Sequence, residues 1–277
     1  MRILLTNDDG VHAEGLLALK TALGRVADVV VVAPDRPRSA CGHSVTLHEP
    51  LRVMETKLAD GSPAFATTGT PTDCVMLALR GVLDRQPDLV FSGINDGPNL
   101  GWDLTYSGTV AGAMEAAISG VTSVAVSCVR INGLNNQEDY GFVRPDRPAI
   151  NYGPAGEFCA HLATVLFENR LPDYVFLNVN VPSLPREAIR GVQLTRQGVR
   201  RYPGQAERRL DPMGREYYWL GGDIPQDVLV EGTDVHAIAE RAISVTPIHM
   251  DQTAYPVMES LHQWSRIEEW GRGSDDR

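Results

Sequence analysis

No stretch of this 277-residue chain approaches the roughly 18 consecutive apolar positions that a membrane-spanning helix needs. The opening MRILL is too short for the apolar centre of a secretory leader and is followed at once by acidic residues, so a cytoplasmic location is expected. Cysteine is scarce. Cys41, Cys74, Cys128 and Cys159 stand far apart without CxxC spacing, which speaks against a zinc ribbon or a dithiol redox pair and suits reduced thiols. Basic charge is also in deficit: a formal net charge of -10 argues against extended contact with nucleic-acid phosphates, although one local cation could still hold a small anion. Missing too are GxGxxG after the first strand signal, GxxxxGK[ST] and GxSxG, so a dinucleotide oxidoreductase, a P-loop NTPase and an α/β-hydrolase all lose ground.

What the chain does contain is a 43% hydrophobic composition, enough for a sizeable core, arranged as alternating strand and helix signals. RILLT (2–6) and DVVVVA (28–33) flank AEGLLALKTALGRV, whose leucines and alanines recur at helical spacing, making a βαβ unit. DLVFS (88–92) and VTSVAVS (121–127) repeat the strand signal around the helix GTVAGAMEAAISG, and PTDCVMLALRGVL is a helix leading into the first of them. The expected fold class is therefore α/β, an open, doubly wound, mostly parallel sheet with helices on both faces. The polar stretch 131–154 reads as a long loop, GEFCAHLATVLFEN as a helix and 174–180 (YVFLNVN) as a strand. Segments 192–202 and 216–220 look like an extended, hairpin-like arm, 242–246 like a strand returning to the core, and MESLHQWSRIEEW like a terminal helix before a frayed tail. The expected division is a catalytic core over 1–190 and a C-terminal extension over 191–277.

Ligands of such sheets bind outside the carboxyl ends of the strands, where the connecting loops converge. Following each predicted strand brings NDDG, PDRPRSACGHS, GINDGPNLG and LNVNVP to one edge, and most of these loops are rich in oxygen-bearing side chains. Asp8 and Asp9, joined by the Ser39 hydroxyl and the Asn95 amide oxygen, would form a cage of hard ligands suited to Mg²⁺, Mn²⁺ or Ca²⁺. A cation would also relieve the repulsion between the adjacent carboxylates. Taken alone, NDDG reads equally as a polar turn with an aspartate cap and a left-handed Gly10. Ser107-Gly108-Thr109 falls where a helix begins, a ready anion site with phosphate as its natural occupant, but a plain cap is the competing explanation. Asn99 reads either as a phosphate contact or as a solvated loop residue. A lone His43 or His48 is more often a packing or surface residue than a catalyst, and Cys41 has no charge partner visible in the sequence.

The ordered set LLTNDDG, APDRPRSACGHSVTL, GTPTDCV, SGINDGPNLGWDLTYSGTVAGAMEA, LNVNVP, EGTDVHAI and ISVTPI resembles the SurE family of stationary-phase survival proteins, metal-dependent 5′-nucleotidases, over most of the chain. The resemblance implies a Rossmann-like core and one divalent metal per subunit held by Asp8, Asp9, Ser39 and Asn95. It further implies Asn99, Ser107, Gly108 and Thr109 against the phosphate, nucleoside 5′-monophosphate as substrate, and a C-terminal extension exchanged between subunits of a homodimer or tetramer. Asp8 and Asp9 are the catalytic candidates, with Asp9 orienting or deprotonating the attacking water. Two other readings stay open: a nucleotide-binding regulatory protein without turnover, and a phosphatase of broader range that accepts sugar phosphates, 3′-nucleotides or short polyphosphate. The 131–154 stretch is longer and more polar than its counterpart in typical members, which leaves its role open.

Overall fold

The computed structural model describes residues 1–131, 149–220 and 225–264. The N-terminal half runs β1 (Arg2–Thr6), α1 (Glu14–Leu23), β2 (Asp28–Pro34), β3 (Val53–Lys57), β4 (Pro63–Thr67), α2 (Pro71–Leu77), β5 (Leu89–Asp96), α3 (Gly108–Ile118) and β6 (Ser123–Val129). There follow α4 (Gly153–Glu168), β7 (Val175–Pro182), β8 (Val192–Leu194), β9 (Val199–Arg201), β10 (Glu207–Leu210), β11 (Glu216–Trp219), β12 (Gln226–Val228), α5 (Asp234–Ala239), β13 (Ile243–His249) and α6 (Tyr255–His262).

Ile3, Leu4 and Leu5 are apolar in succession and wholly buried, the pattern of a strand covered on both faces. β1 accordingly lies in the interior of a nine-stranded sheet of order β3-β4-β2-β1-β5-β6-β7-β13-β8. From β4 to β7 every pairing is parallel, while β3 is antiparallel to β4 and β13 is antiparallel to β7. Strand order runs outward in opposite directions from β1 and β5, so the topological switch point lies between them and opens a crevice at their carboxyl ends.

Helices cover both faces. Leu16, Leu19 and Leu23 of α1 share one core with Ala155, Cys159, Ala163 and Leu166 of α4, whereas Cys74 and Val75 of α2 and Ala116 of α3 pack on the other side of the sheet. α3 approaches the strands closely because Gly112 has no side chain: a Cβ there would lie 2.8 Å from Ser92 Oγ. α2 starts at a capping box in which the Thr70 hydroxyl accepts from the Asp73 N–H and the Asp73 carboxylate accepts from the Thr70 N–H, with Pro71 in the first turn.

The structure departs from the sequence reading in the less apolar parts. The helical pattern over 71–83 is α-helix only to Leu77, after which Ala78–Val82 widen into a π turn. β3 is largely exposed and β4 short, so neither announced itself by alternation. Of the expected arm, β8 joins the edge of the main sheet beside β13, β9 pairs with β12, and only β10 and β11 form a separate hairpin. Helix α4 begins at Gly153, inside the stretch read as loop, because Pro154 suits a first helical turn. The remainder of that loop, at 132–148, and the tail beyond 264 lie outside the described residues. No helix among those described is long and apolar enough to cross a membrane.

Asp73 is 1% exposed and accepts from the Thr46 N–H (3.0 Å) and hydroxyl (2.7 Å) as well as from Thr70 N–H (2.8 Å), pinning the loop after β2 onto α2. Asp73→Ala strands these donors and is expected to cost about 2 kcal/mol or more of stability. Urea unfolding will show it as a lower midpoint with unchanged slope.

Candidate functional site

At the switch point β1 gives way to Asn7-Asp8-Asp9-Gly10, a turn closed by Asn7 Nδ2 donating to the Gly10 carbonyl at 2.9 Å. Asp8 is 4% exposed. Its Oδ1 accepts a hydrogen bond from the Thr109 hydroxyl, in the first turn of α3. Burial pushes the Asp8 carboxyl above the ordinary carboxylate range; the Thr109 hydroxyl and the backbone N–H groups of Asp8, Thr109 and Gly108 oppose that shift, and none of these is a cation. The close approach depends on Gly108, where a Cβ would fall 2.8 Å from both Asp8 Cβ and Cys41 Sγ.

Hydrogen bonds join the three neighbouring loops directly. The Arg38 N–H donates to the Asp8 carbonyl at 2.7 Å, bringing the loop that carries Ser39 onto NDDG. The Asp96 N–H donates to Asp9 Oδ2 at 3.2 Å, which does the same for the loop that carries Asn95. Asp96 is itself gripped by Arg130, which donates from Nη2 to Oδ2 at 3.0 Å and also from Nη1. Asn95 donates from Nδ2 to the Gly97 carbonyl at 2.9 Å, which orients its amide and leaves Oδ1 as the accepting end. Ser39 stays exposed on its loop. Asp8, Asp9, Ser39 and Asn95 thus sit on three segments that meet at one edge of the sheet.

These residues fit a hard divalent cation. They offer two carboxylates, a hydroxyl and an amide oxygen, and the buried Oδ1 of Asn7, next to Asp8 in the chain, has no hydrogen-bond partner. Among the described residues no group of three or more His, Cys, Asp or Glu is disposed to hold a metal, so a zinc-type donor set is absent there.

Gly108 and Thr109 lie against Asp8, Ser107 makes the plain cap that was the competing reading, and Thr109 and Asn99 carry further commitments that the sequence did not reveal. Ser107 caps α3, its Oγ accepting from the Val110 N–H at 3.1 Å. Thr109 spends its hydroxyl proton on Asp8, because the helix start faces that carboxylate. Asn99 is 6% exposed and tied down on all sides: its N–H donates to Asn180 Oδ1 (2.9 Å) and its Nδ2 to Ser127 Oγ (2.8 Å). Its carbonyl accepts from Asn178 Nδ2 (2.8 Å) and Asn180 Nδ2 (2.9 Å). Sequence reasoning missed Ser127, Asn178, Asn180 and Arg130 as supports. The signal for two of them was present in LNVNVP, where asparagines two apart on a strand share one face. His43 is a tether rather than a loose surface group, its Nε2 lying 3.0 Å from Oε2 of the buried Glu115 on α3.

Known proteins resemble this chain over most of its length. A family profile described as survival protein SurE matches residues 3–204. The 5′-nucleotidase SurE of Geobacter sulfurreducens is 48% identical over 264 residues, covering 95% of this chain and 94% of that protein. The 5′-nucleotidase SurE of Syntrophotalea carbinolica is 49% identical over 265 residues, covering 96% and 98% respectively. The crystal structure of the SurE protein from Aquifex aeolicus superposes with a TM-score of 0.76 at 39% identity, covering 96% of this chain and 100% of that one. With a family profile spanning most of its length and relatives matched nearly end to end, the chain belongs to the SurE family.

Proposed function

We propose that the protein is a metal-dependent phosphomonoesterase that hydrolyses nucleoside 5′-monophosphates to nucleoside and inorganic phosphate. The observation that carries this reading is the junction of three loops and the start of α3 around Asp8. The names of the matched relatives, 5′-nucleotidase SurE, support the same activity class.

Asp8, Asp9, Ser39 and Asn95 would hold a single Mg²⁺, Mn²⁺ or Ca²⁺, which supplies a Lewis acid to the phosphate and acidifies water at the site. The chain itself provides orientation. Thr109 fixes which way the Asp8 carboxylate points, and the Asp96 N–H does the same for Asp9. Asp9 accepts a proton from the attacking water as the water oxygen bonds to phosphorus and the P–O bond to the ribose oxygen breaks in line, that oxygen taking a proton from solvent so that the nucleoside leaves neutral. Asn99 through Nδ2 and Ser107 through its hydroxyl are the donors left for the phosphate oxygens near the positive end of α3, since the Thr109 hydroxyl and the Gly108 and Thr109 N–H groups face Asp8. The net charge of -10 disfavours extended contact with a polynucleotide and favours a small phosphate ester as the ligand. Self-association through the C-terminal extension belongs to the same reading: the β10–β11 hairpin pairs with no other strand among the described residues and exposes Tyr218, Trp219 and Leu220.

Asp8→Asn and Asp9→Asn are each expected to lower Mn²⁺-dependent phosphate release from AMP by at least about 100-fold, with unfolding transitions close to wild type. Retained turnover in both would refute the site, and nucleotide binding without release by the wild-type protein would make it a regulator instead. Thr109→Val, which removes only the hydroxyl that orients Asp8, should cost about 10- to 100-fold in metal affinity or turnover, read by calorimetric Mn²⁺ titration beside the assay. Replacing 207–219 by a short Gly/Ser loop should convert the assembly to monomer in light scattering; an unchanged mass would exclude the hairpin from the interface.

A further inference from the structure

Between Asn99 and Ser107 the chain makes a short 3-10 segment, Gly101–Thr105. What holds it comes from the other end of the sequence. The Gly101 N–H donates to Asp234 Oδ2 at 2.8 Å and its carbonyl accepts from Gln197 Nε2 at 2.9 Å. Asp103 Oδ2 accepts from Arg200 Nη1 at 3.1 Å and from the Tyr202 hydroxyl at 2.5 Å. Arg200 is anchored in turn on β12, donating from Nε to Asp227 Oδ1 at 2.6 Å and from Nη2 to Asp227 Oδ2 at 2.9 Å.

The Arg200 side chain is fully buried, with 0% of its surface accessible. Burial alone would push its guanidinium down, and the Asp227 and Asp103 carboxylates more than reverse that. Enclosing an ion and two counter-charges is a poor way to gain stability, since an apolar side chain of similar volume usually serves at least as well. The planar fork of an arginine gives something an apolar residue cannot, a fixed direction for each partner carboxylate. Here one partner belongs to the C-terminal extension and the other to the turn leading into α3.

We propose that Arg200 is a positioning residue for catalysis: through Asp103 it holds the 99–107 turn in the geometry in which Asn99 and Ser107 meet the phosphate. The proposal rests on the functional reading above. Because β9 and β12 carry the clamp, the C-terminal extension governs the competence of the site as well as assembly.

In the full-length protein, Arg200→Met should raise hydrogen–deuterium exchange in peptides spanning 99–107 while leaving β1 unchanged. It should lower kcat/KM for AMP and weaken competitive inhibition by inorganic phosphate by about tenfold or more, the scale on which supports of site residues act. Mn²⁺ affinity measured without nucleotide should stay as in wild type, and Arg200→Lys, which restores charge without the fork, should recover only part of the loss. Should Arg200→Met not fold, Asp103→Asn breaks the same link with little change of volume and is read identically. A lower melting temperature with exchange at 99–107, phosphate inhibition and kcat/KM per folded molecule all unchanged would overturn the proposal, leaving Arg200 a structural ion only. A wild-type protein that hydrolyses no nucleotide would sink the functional reading instead, while exchange at 99–107 would still decide the clamp.

Discussion

A carboxylate held out of water at the start of a helix is the constraint around which this protein is arranged. Asp8 is buried, and burial disfavours its charge; the Thr109 hydroxyl and the backbone N–H groups at the start of α3 work the other way. A helix start concentrates unsatisfied donors and partial positive charge, so it tolerates an anion where most of the interior would not. The arrangement needs close contact, and Gly108 permits it by offering no Cβ.

The loops around that carboxylate are fastened by hydrogen bonds rather than by hydrophobic packing. Arg38 N–H to the Asp8 carbonyl, Asp96 N–H to the Asp9 carboxylate and Gly42 N–H to the Tyr106 carbonyl (2.9 Å) each join two different loops. Such bonds are directional, so they set orientation where apolar contacts would set only proximity. Farther out, the support changes character. Asn99 is held by the neutral amides of Asn178 and Asn180, which orient it without adding charge. Beyond that, at Asp103, the support is ionic and comes from Arg200.

The sheet explains why these pieces meet at all. Successive parallel strands deliver their loops to one edge, and the reversal of order between β1 and β5 leaves a gap there that no crossover helix fills. Sequence separation is then irrelevant: residues 8, 38, 96 and 109 become neighbours because their strands are. The same topology explains the reach of the C-terminal part, since β13 runs back along β7 and sets α5, with Asp234 at its start, against the turn at Gly101.

Runs such as RILLT and SVAVS, and the spaced leucines of EGLLALKTAL, were sufficient to place the central strands and α1, because burial on a strand or helix face is a local periodic property. The convergence of NDDG, the Ser39 loop and the Asn95 loop also followed from the amino-acid order once a parallel sheet was assumed. Weakly apolar pieces such as VMETK did not declare themselves, nor did the conversion of 78–82 from α-helix to a π turn. Above all, the sequence named Thr109 only as a phosphate contact and gave Asn178 and Arg200 no role. That Thr109 donates to Asp8, Asn178 to Asn99 and Arg200 to Asp103 depends on contacts spanning 101, 79 and 97 positions, and partner choice at that range is set by how sheet and helices pack, which no local period encodes.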